Sequence, residues 1–244
     1  MGFRRSSRPS VGVPFEEARG GVIASRLNGL RAAVMGANDG IVSTAGMVVG
    51  VAGAAVGSSA LLASGVAAVI AGALSMAVGE YVSVSSQRDA QEAELAHEQR
   101  RLDTDPAHEI DRLTGLFAAQ GIEAPLARQV AEQLMTGSPL TAHARYELGI
   151  DPGQLTNPWH AVRVSTAAFV LGALVPLLTI LASPRPVAVP VTMVSVVMAL
   201  AVTGSLAAHL GGAPRARAAL RTVAGGLTAM VITYGIGLLL GHQL

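Results

Sequence analysis

The 244-residue chain has no cysteine and no lysine, and only 14% of its residues are charged and 3% aromatic. Without cysteine there can be no disulfide framework, zinc–thiolate site, iron–sulfur cluster or thiol nucleophile. Any metal must be held by carboxylates, imidazoles, thioethers, amides or water. All 17 basic residues are arginine, which reflects genome composition more than mechanism. Soluble domains carry about 25% charged residues. The deficit here excludes a disordered chain, a basic nucleic-acid-binding tail and an ordinary soluble enzyme. The formal net charge of +1 excludes nothing. What is present instead is a 51% hydrophobic chain of mean hydropathy +0.49. Its 28 glycines follow no collagen period and suit closely packed membrane helices.

Runs of about 20 apolar residues cross a bilayer core of about 30 Å. Five are found, near Leu30–Val56, Ser59–Ser86, His160–Ala182, Val187–Leu210 and Ala218–Leu240. Gly57-Ser58 makes a hairpin of the first two. Pro184, Arg185, Pro186 and Pro190 mark the third turn, and Gly211, Gly212 and Pro214 the fourth. Pro176 falls inside the third span, where packed neighbours can satisfy the freed carbonyl. Arg4, Arg5, Arg8, Arg19, Arg26 and Arg31 precede the first span, and Arg215, Arg217 and Arg221 surround the last connection. Arg185 alone sits on the other side, so the N-terminus and the long insert are expected to be cytosolic. Residues 1–27 lack a signal-peptide apolar core and read as a flexible cytosolic tail. Arginine-only usage and the lack of a targeting segment point to a bacterial plasma membrane.

Residues 87–158 break the pattern and hold most of the acids. Helices are expected at Gln87–Leu102, which continues the second span without a breaker, and at Pro106–Gln120, Pro125–Thr136 and Leu140–Leu148, which end at Gly121, Gly137 and Gly149. The expected fold class is therefore an all-α membrane protein. It has five transmembrane helices (28–86 and 159–241) and a small helical cytosolic domain, 87–158, inserted between helices 2 and 3. About 70 residues hold too small a core to stand easily alone.

Ionisable residues inside apolar spans are functional hypotheses by default. Asp39, eight residues past Arg31, lies about 12 Å into the membrane, and Met76, ten residues before Ser86, about 15 Å. Glu80 lies one turn from Met76 on the same face. Asn38, Asp39, Met76 and Glu80 could thus converge between the first two helices. Hard oxygen plus soft sulfur suits a borderline divalent ion such as Fe²⁺ better than Mg²⁺ or Ca²⁺. Met76 could equally be core filling, and Glu80 could pair with Arg88 or Arg31 at the cytosolic mouth. Asp39 has no basic residue at its depth. In the insert, Glu94, His97 and Glu98 share one helix face, and Glu109, Glu132, His143 and Glu147 could join them. Acid-rich faces are usually just solvated, and Arg100, Arg101 and Arg112 would neutralise part of this one.

Two long stretches carry a resemblance. Leu30-Arg-Ala-Ala-Val-Met-Gly-Ala-Asn-Asp-Gly-Ile-Val-Ser-Thr-Ala45 with Val49-Gly-Val-Ala-Gly-Ala54, and Ala71-Gly-Ala-Leu-Ser-Met-Ala-Val-Gly-Glu-Tyr-Val-Ser-Val-Ser-Ser-Gln-Arg-Asp89, resemble the first two helices of the vacuolar iron transporter family. Ala142-His-Ala-Arg-Tyr-Glu-Leu-Gly-Ile-Asp151 and Gly172-Ala-Leu-Val-Pro-Leu177 are also similar to it. The resemblance covers about residues 27–241. It implies a homodimer in the lipid bilayer that moves Fe²⁺, often also Mn²⁺, out of the cytosol by proton antiport, with the pathway at the dimer interface. It places Asp39 and Met76 at the transmembrane metal positions and Glu80 in the Gly-Glu-Tyr step. Glu98, Glu109 and Glu147 match the mostly glutamate ligands of the family's metal-collecting cytosolic domain. Arg101 and Arg112 stand where iron-binding members repeat a glutamate, and His143 where some place methionine. Fixed cations there should weaken any cytosolic cluster, because a divalent ion would meet positive charge. Glu94 and His97 could compensate.

The leading expectation is a divalent-metal/proton antiporter that is not an enzyme and needs no cofactor. Its partners are a second copy, the bilayer and the transported ion, with no nucleic acid. No Walker-type phosphate loop appears, so no nucleotide is expected either. Protonation of Asp39 or Glu80 as the ion leaves would supply the exchange. The alternative is a membrane-anchored carboxylate-bridged iron enzyme or ferritin-like oxidase, because Glu94-x-x-His97 has di-iron spacing. That architecture needs a second such pair, and the nearest, Asp105-Pro106-Ala107-His108, runs through a proline.

Overall fold

A computed structural model of the chain describes residues 14–54 and 57–241. Eight helices follow in order: α1 (Pro14–Gly53), α2 (Ser58–Thr104), α3 (Pro106–Ala119), α4 (Ala124–Gly137), α5 (Pro139–Tyr146), α6 (Pro158–Ala182), α7 (Arg185–Leu210) and α8 (Arg215–Gly241). Five of them, α1, α2, α6, α7 and α8, are long and apolar enough to cross a membrane. The chain divides into two compact units. Residues 28–88 and 156–244 form one, and residues 89–155 with the part of α1 before Asn28 form the other. Helix α2 runs unbroken through the division between Arg88 and Asp89.

Local sequence accounts for most boundaries. The Asp105 side chain accepts a hydrogen bond from the His108 N–H at 3.1 Å and caps α3, with Pro106 in its first turn. Asn157 does the same for α6 through the Trp159 and His160 N–H groups, ahead of Pro158. An N-cap acceptor followed by proline is the expected start signal, since proline lacks the N–H that a first turn leaves unpaired. Gly121 and Gly149 close α3 and α5 with positive φ of 94° and 66°, backbone that glycine adopts without a Cβ penalty.

Two expectations need amending. Helix α1 begins at Pro14, inside the stretch read as a flexible tail, and residues 1–13 lie outside those described. Pro190 is not part of the turn before α7 but sits within that helix, as Pro176 does within α6. Pro190 lies in the second turn of α7, close to the unpaired N–H groups of the helix start. The carbonyl that Pro176 frees in mid-α6 must instead be satisfied by packed neighbours.

In the membrane unit, α1 and α6 touch backbone to backbone. A Cβ at Gly36 would collide with the Ser165 carbonyl, one at Gly40 with the Phe169 carbonyl, and one at Gly172 with the Ala37 carbonyl. Such contact needs small residues, because lipid offers helices no hydrophobic drive to associate and packing must supply it. Around it lie two buried clusters. One holds Ile41, Ala45, Val196, Leu200 and Met230, the other Val48, Val49, Leu177, Ile180 and Ala188. Helix α2 is different: only 6% of its most apolar window is buried, against 44% for α1.

The smaller unit has its own core, with Leu113 and Phe117 of α3 packed on Ala127 and Ala131 of α4 and Ala142 of α5. The Phe117 ring also meets Tyr146 edge-on at 5.3 Å. Alanines at the α3–α4 contact let short helices approach without large side chains.

Replacing Gly40 with valine should break the α1–α6 contact, since the added atoms meet backbone that cannot rotate away. Overpacking costs of about 1–3 kcal/mol are usual, and backbone collision puts this change at the upper end. A lower midpoint of thermal unfolding in detergent checks it, and an unchanged midpoint would refute the close crossing.

Candidate functional sites

A groove of about 760 Å³ opens in the membrane unit between α1, α2, α7 and α8. Asn38 and Asp39 of α1, Met76 of α2 and Arg221 of α8 line it, together with Met35 and Thr222. The α1 contact with α6 explains the placement. At 100° per residue, Asp39 is turned by roughly a quarter-turn from the Gly36–Gly40 edge, so it flanks the packed edge. Arg31, Met35, Asp39, Ser43 and Met47 form one exposed row along α1 at four-residue spacing. Ser43 donates its hydroxyl to the Asp39 backbone carbonyl at 2.6 Å, leaving the Asp39 carboxylate uncommitted. The side-chain oxygen of Asn38 is buried and has no hydrogen-bond partner. An unpaired buried amide oxygen, a carboxylate and a thioether thus line one groove.

Three of the four residues expected to converge in the membrane therefore share one groove. The fourth, Glu80, is half-buried on α2 and is not among the lining residues. Arg221 was missed. It had been counted only in the basic flank of the last connection, yet it lies six residues into α8, about 9 Å along the helix, and faces the same groove as Asp39. No ion pair joins Asp39 and Arg221, although both line the groove.

In the smaller unit a second group forms. Glu98 (α2), Glu109 (α3) and His143 (α5) are buried, and each offers a ligand atom within 4.8 Å of the others. Along α2, Leu95, Glu98 and Leu102 fall on the inward stripe, and Glu109 begins the buried row of Glu109, Leu113 and Phe117 on α3. Glu147, just past α5, joins the group through His143 at 3.0 Å. His143 Nδ1 also lies 3.1 Å from Glu98. With only carboxylate oxygens around it, Nδ1 carries the ring's N–H.

Two arginines enter the same cluster. Arg112 donates to Glu109 and Glu147 through short bonds and to Glu98 at 3.3 Å. Arg101 lies 3.3 Å from Glu109 and 3.7 Å from Glu98. Burial by itself would lower the Arg112 pKa. The hydrogen bond with Glu109 and the charges of Glu147, Glu109 and Glu98 outweigh it and hold the guanidinium above its ordinary value.

Glu94 and His97, expected to support this site, are exposed and stand outside it. The i, i+3, i+4 spacing puts them on neighbouring parts of α2, but only Glu98 falls on the stripe that α3 and α5 cover. Glu132 is also outside, paired with Arg128 at 2.9 Å on the surface. The di-iron reading loses its first half here, because Glu94 and His97 meet no second pair.

Five helices long and apolar enough to cross a membrane, with a groove among them, define a polytopic membrane protein. The comparison with known proteins makes this specific: residues 30–238 match the model of the VIT family, and the chain belongs to that family. A vacuolar iron transporter from Acanthamoeba castellanii is 42% identical over 212 residues, covering 86% of this chain and 78% of that protein. Vacuolar iron transporter homolog 5 of Oryza sativa subsp. japonica is 36% identical over 88% of this chain and 81% of its own length. Homolog 3 of Arabidopsis thaliana is 34% identical over 90% and 87%.

Arg112→Met should leave Glu98 and Glu109 buried with too little positive charge beside them. Removing one partner of a buried ion pair costs about 3 kcal/mol or more, and the part-exposed guanidinium puts this site at that lower bound. Hydrogen exchange over residues 106–146 of the full chain, with chelator present, should quicken by about a hundredfold. Unchanged exchange would mean that Arg112 only decorates the cluster.

Proposed function

We propose that this protein carries divalent metal, Fe²⁺ and also Mn²⁺, out of the cytosol in exchange for protons, through the groove lined by Asp39 and Met76. The observation that carries the reading is the donor set in that groove: a carboxylate, an unpartnered amide oxygen and a thioether among apolar helices. A carboxylate facing lipid would cost several kcal/mol. Its natural partner is a cation that comes and goes. Oxygen and sulfur together favour borderline ions over Mg²⁺ or Ca²⁺. When the ion leaves, a proton taken by Asp39 keeps the groove neutral, and loss of that proton readies it for the next ion. Glu80, one turn from Met76 on α2, is a candidate relay for the same proton. The names of the relatives support iron as cargo.

Two copies are the working unit in this reading. The α1 row that includes Asp39 and the apolar face of α2 are both open in a single chain. A two-fold axis along this surface would bring two Asp39 and two Met76 together and give the ion more ligands than one groove offers. The arginines up to Arg31 and those around the α7–α8 connection support a cytosolic position for residues 89–155. Arginine usage favours a bacterial plasma membrane as the setting.

Asp39→Ala should reduce uptake of Fe²⁺ into proteoliposomes under an imposed pH gradient to background, with dimer mass unchanged by light scattering. Native transport at equal protein level would sink the ligand assignment.

Met76→Leu keeps volume and apolarity but removes the sulfur donor. Fe²⁺ and Co²⁺ transport should fall at least tenfold, about 1.4 kcal/mol of barrier, and Mn²⁺ transport less, because the thioether matters more for softer ions. Equal losses for all three ions would show that Met76 only packs the helix.

A further inference from the structure

The family resemblance implies a metal-collecting cluster on Glu98, Glu109 and Glu147, and the donor set itself tests whether a metal fits there. All six carboxylate oxygens of these glutamates already face a nitrogen. Glu98 Oε1 has Arg112 Nη1 at 3.3 Å and His143 Nδ1 at 3.1 Å, and its Oε2 has Arg101 Nη1 at 3.7 Å. Glu109 Oε1 has Arg101 Nε at 3.3 Å, and its Oε2 meets Arg112 Nη1. Glu147 Oε1 meets Arg112 Nη2, and its Oε2 has His143 Nδ1 at 3.0 Å. The negative charge a metal would neutralise is already met by guanidinium groups. His143 points Nδ1 at the same carboxylates, 3.1 Å from Glu98 and 3.0 Å from Glu147, while its Nε2 is buried without a partner.

We infer that Arg101 and Arg112 replace metal in this chain: the cluster is an internal ion-pair clasp that joins α2, α3 and α5 and does not load divalent ions. Three carboxylates face two permanent cations and an imidazole N–H, so little charge is left for an ion to neutralise. A divalent ion could enter only by expelling Arg112, whose guanidinium is the common partner of all three glutamates. Two residues on separate helices make the same substitution of fixed cation for mobile cation. One arginine would leave Glu98 Oε2 and Glu109 Oε1 unpaired, and it is those two oxygens that Arg101 takes. A planar guanidinium offers five donors in a fixed fork, so it can bridge several carboxylates as a metal does. Unlike a metal, it cannot be chelated away or passed on to the transport groove. The inference concerns the soluble-type unit and does not depend on the transport reading.

The test counts Mn²⁺ bound to the full chain in detergent by electron paramagnetic resonance, on the Asp39→Ala background to silence the membrane groove. With native arginines, binding should be weak, and Arg101→Glu with Arg112→Glu should tighten it at least tenfold. Arg112→Gln, which keeps most of the volume, should give a smaller gain in the same direction and serves if the double variant does not fold. Hydrogen exchange over residues 106–146 of the native protein should be the same with and without EDTA. Loss of protection in EDTA, or no gain of Mn²⁺ in a folded arginine variant, would overturn the inference. Tight binding by the Asp39→Ala protein would be sorted by adding Glu98→Gln and Glu109→Gln. If those changes abolish it the clasp is wrong, and if they leave it intact the clasp stands and the assignment of Asp39 fails instead.

Discussion

The carbonyl-to-glycine contact between α1 and α6 sets the geometry of everything around the membrane groove. Backbones that touch at Gly36, Gly40 and Gly172 leave α1 no rotational freedom, so the flank that carries Met35 and Asp39 is held on the open side. The clusters built on Ile41, Ala45, Val48 and Val49 then fix the remaining arc of the helix. A side-chain-mediated crossing would have allowed α1 to roll, and a carboxylate on a rolling helix would find either lipid or a neighbouring hydroxyl. Tight glycine packing in a bilayer is usually read as a source of helix association. Here its second effect matters as much, since it aims a polar side chain.

The two acidic sites solve the same electrostatic problem in opposite ways. A carboxylate withdrawn from water needs a compensating cation nearby. In the smaller unit, Glu98 and Glu109 have permanent partners within the fold, reached by arginines that the sequence places three residues after each of them. In the groove, Asp39 has none, although Arg221 shares the lining. Permanent pairing favours a rigid, closed node. The absence of pairing leaves a charge that, in the proposed reading, is met by an ion that arrives and departs.

Much of this was legible in residue order. Four of the five spans match their helices to within a few residues, because run length in a bilayer is set by helix rise and core thickness, two numbers that do not depend on tertiary context. The second, expected to end at Ser86, continues as one helix to Thr104. Asn38, Asp39 and Met76 could be brought together from depth alone. Local spacing misled at Glu94 and His97: it says which residues share a helix face, but not where the covering helices lie, and α3 and α5 cover only the Glu98 stripe. Arg221 escaped notice because charge-asymmetry rules already explained every arginine near that connection, so nothing asked which way its side chain points. The start of α1 at Pro14 ran against a composition poor in apolar residues, which marks a segment as polar and not as non-helical.

The arginine clasp also bears on how supply and transport are divided in this chain. A domain that collects ions must hold them loosely enough to release and tightly enough to concentrate them, and both demands fall on the same ligands. Guanidinium groups remove that compromise by removing the ligands from use. In the proposed transport reading the groove would then take its ion directly from solution, and selectivity would arise among Asp39, Asn38 and Met76. A thioether contributes little to binding a hard ion and more to a borderline one, whereas the carboxylate attracts any cation in reach. In the proposed reading discrimination would fall on the one donor in the groove that carries no charge and can make no strong hydrogen bond, and Met76 would be the residue whose chemistry separates the cargo from the more abundant hard cations.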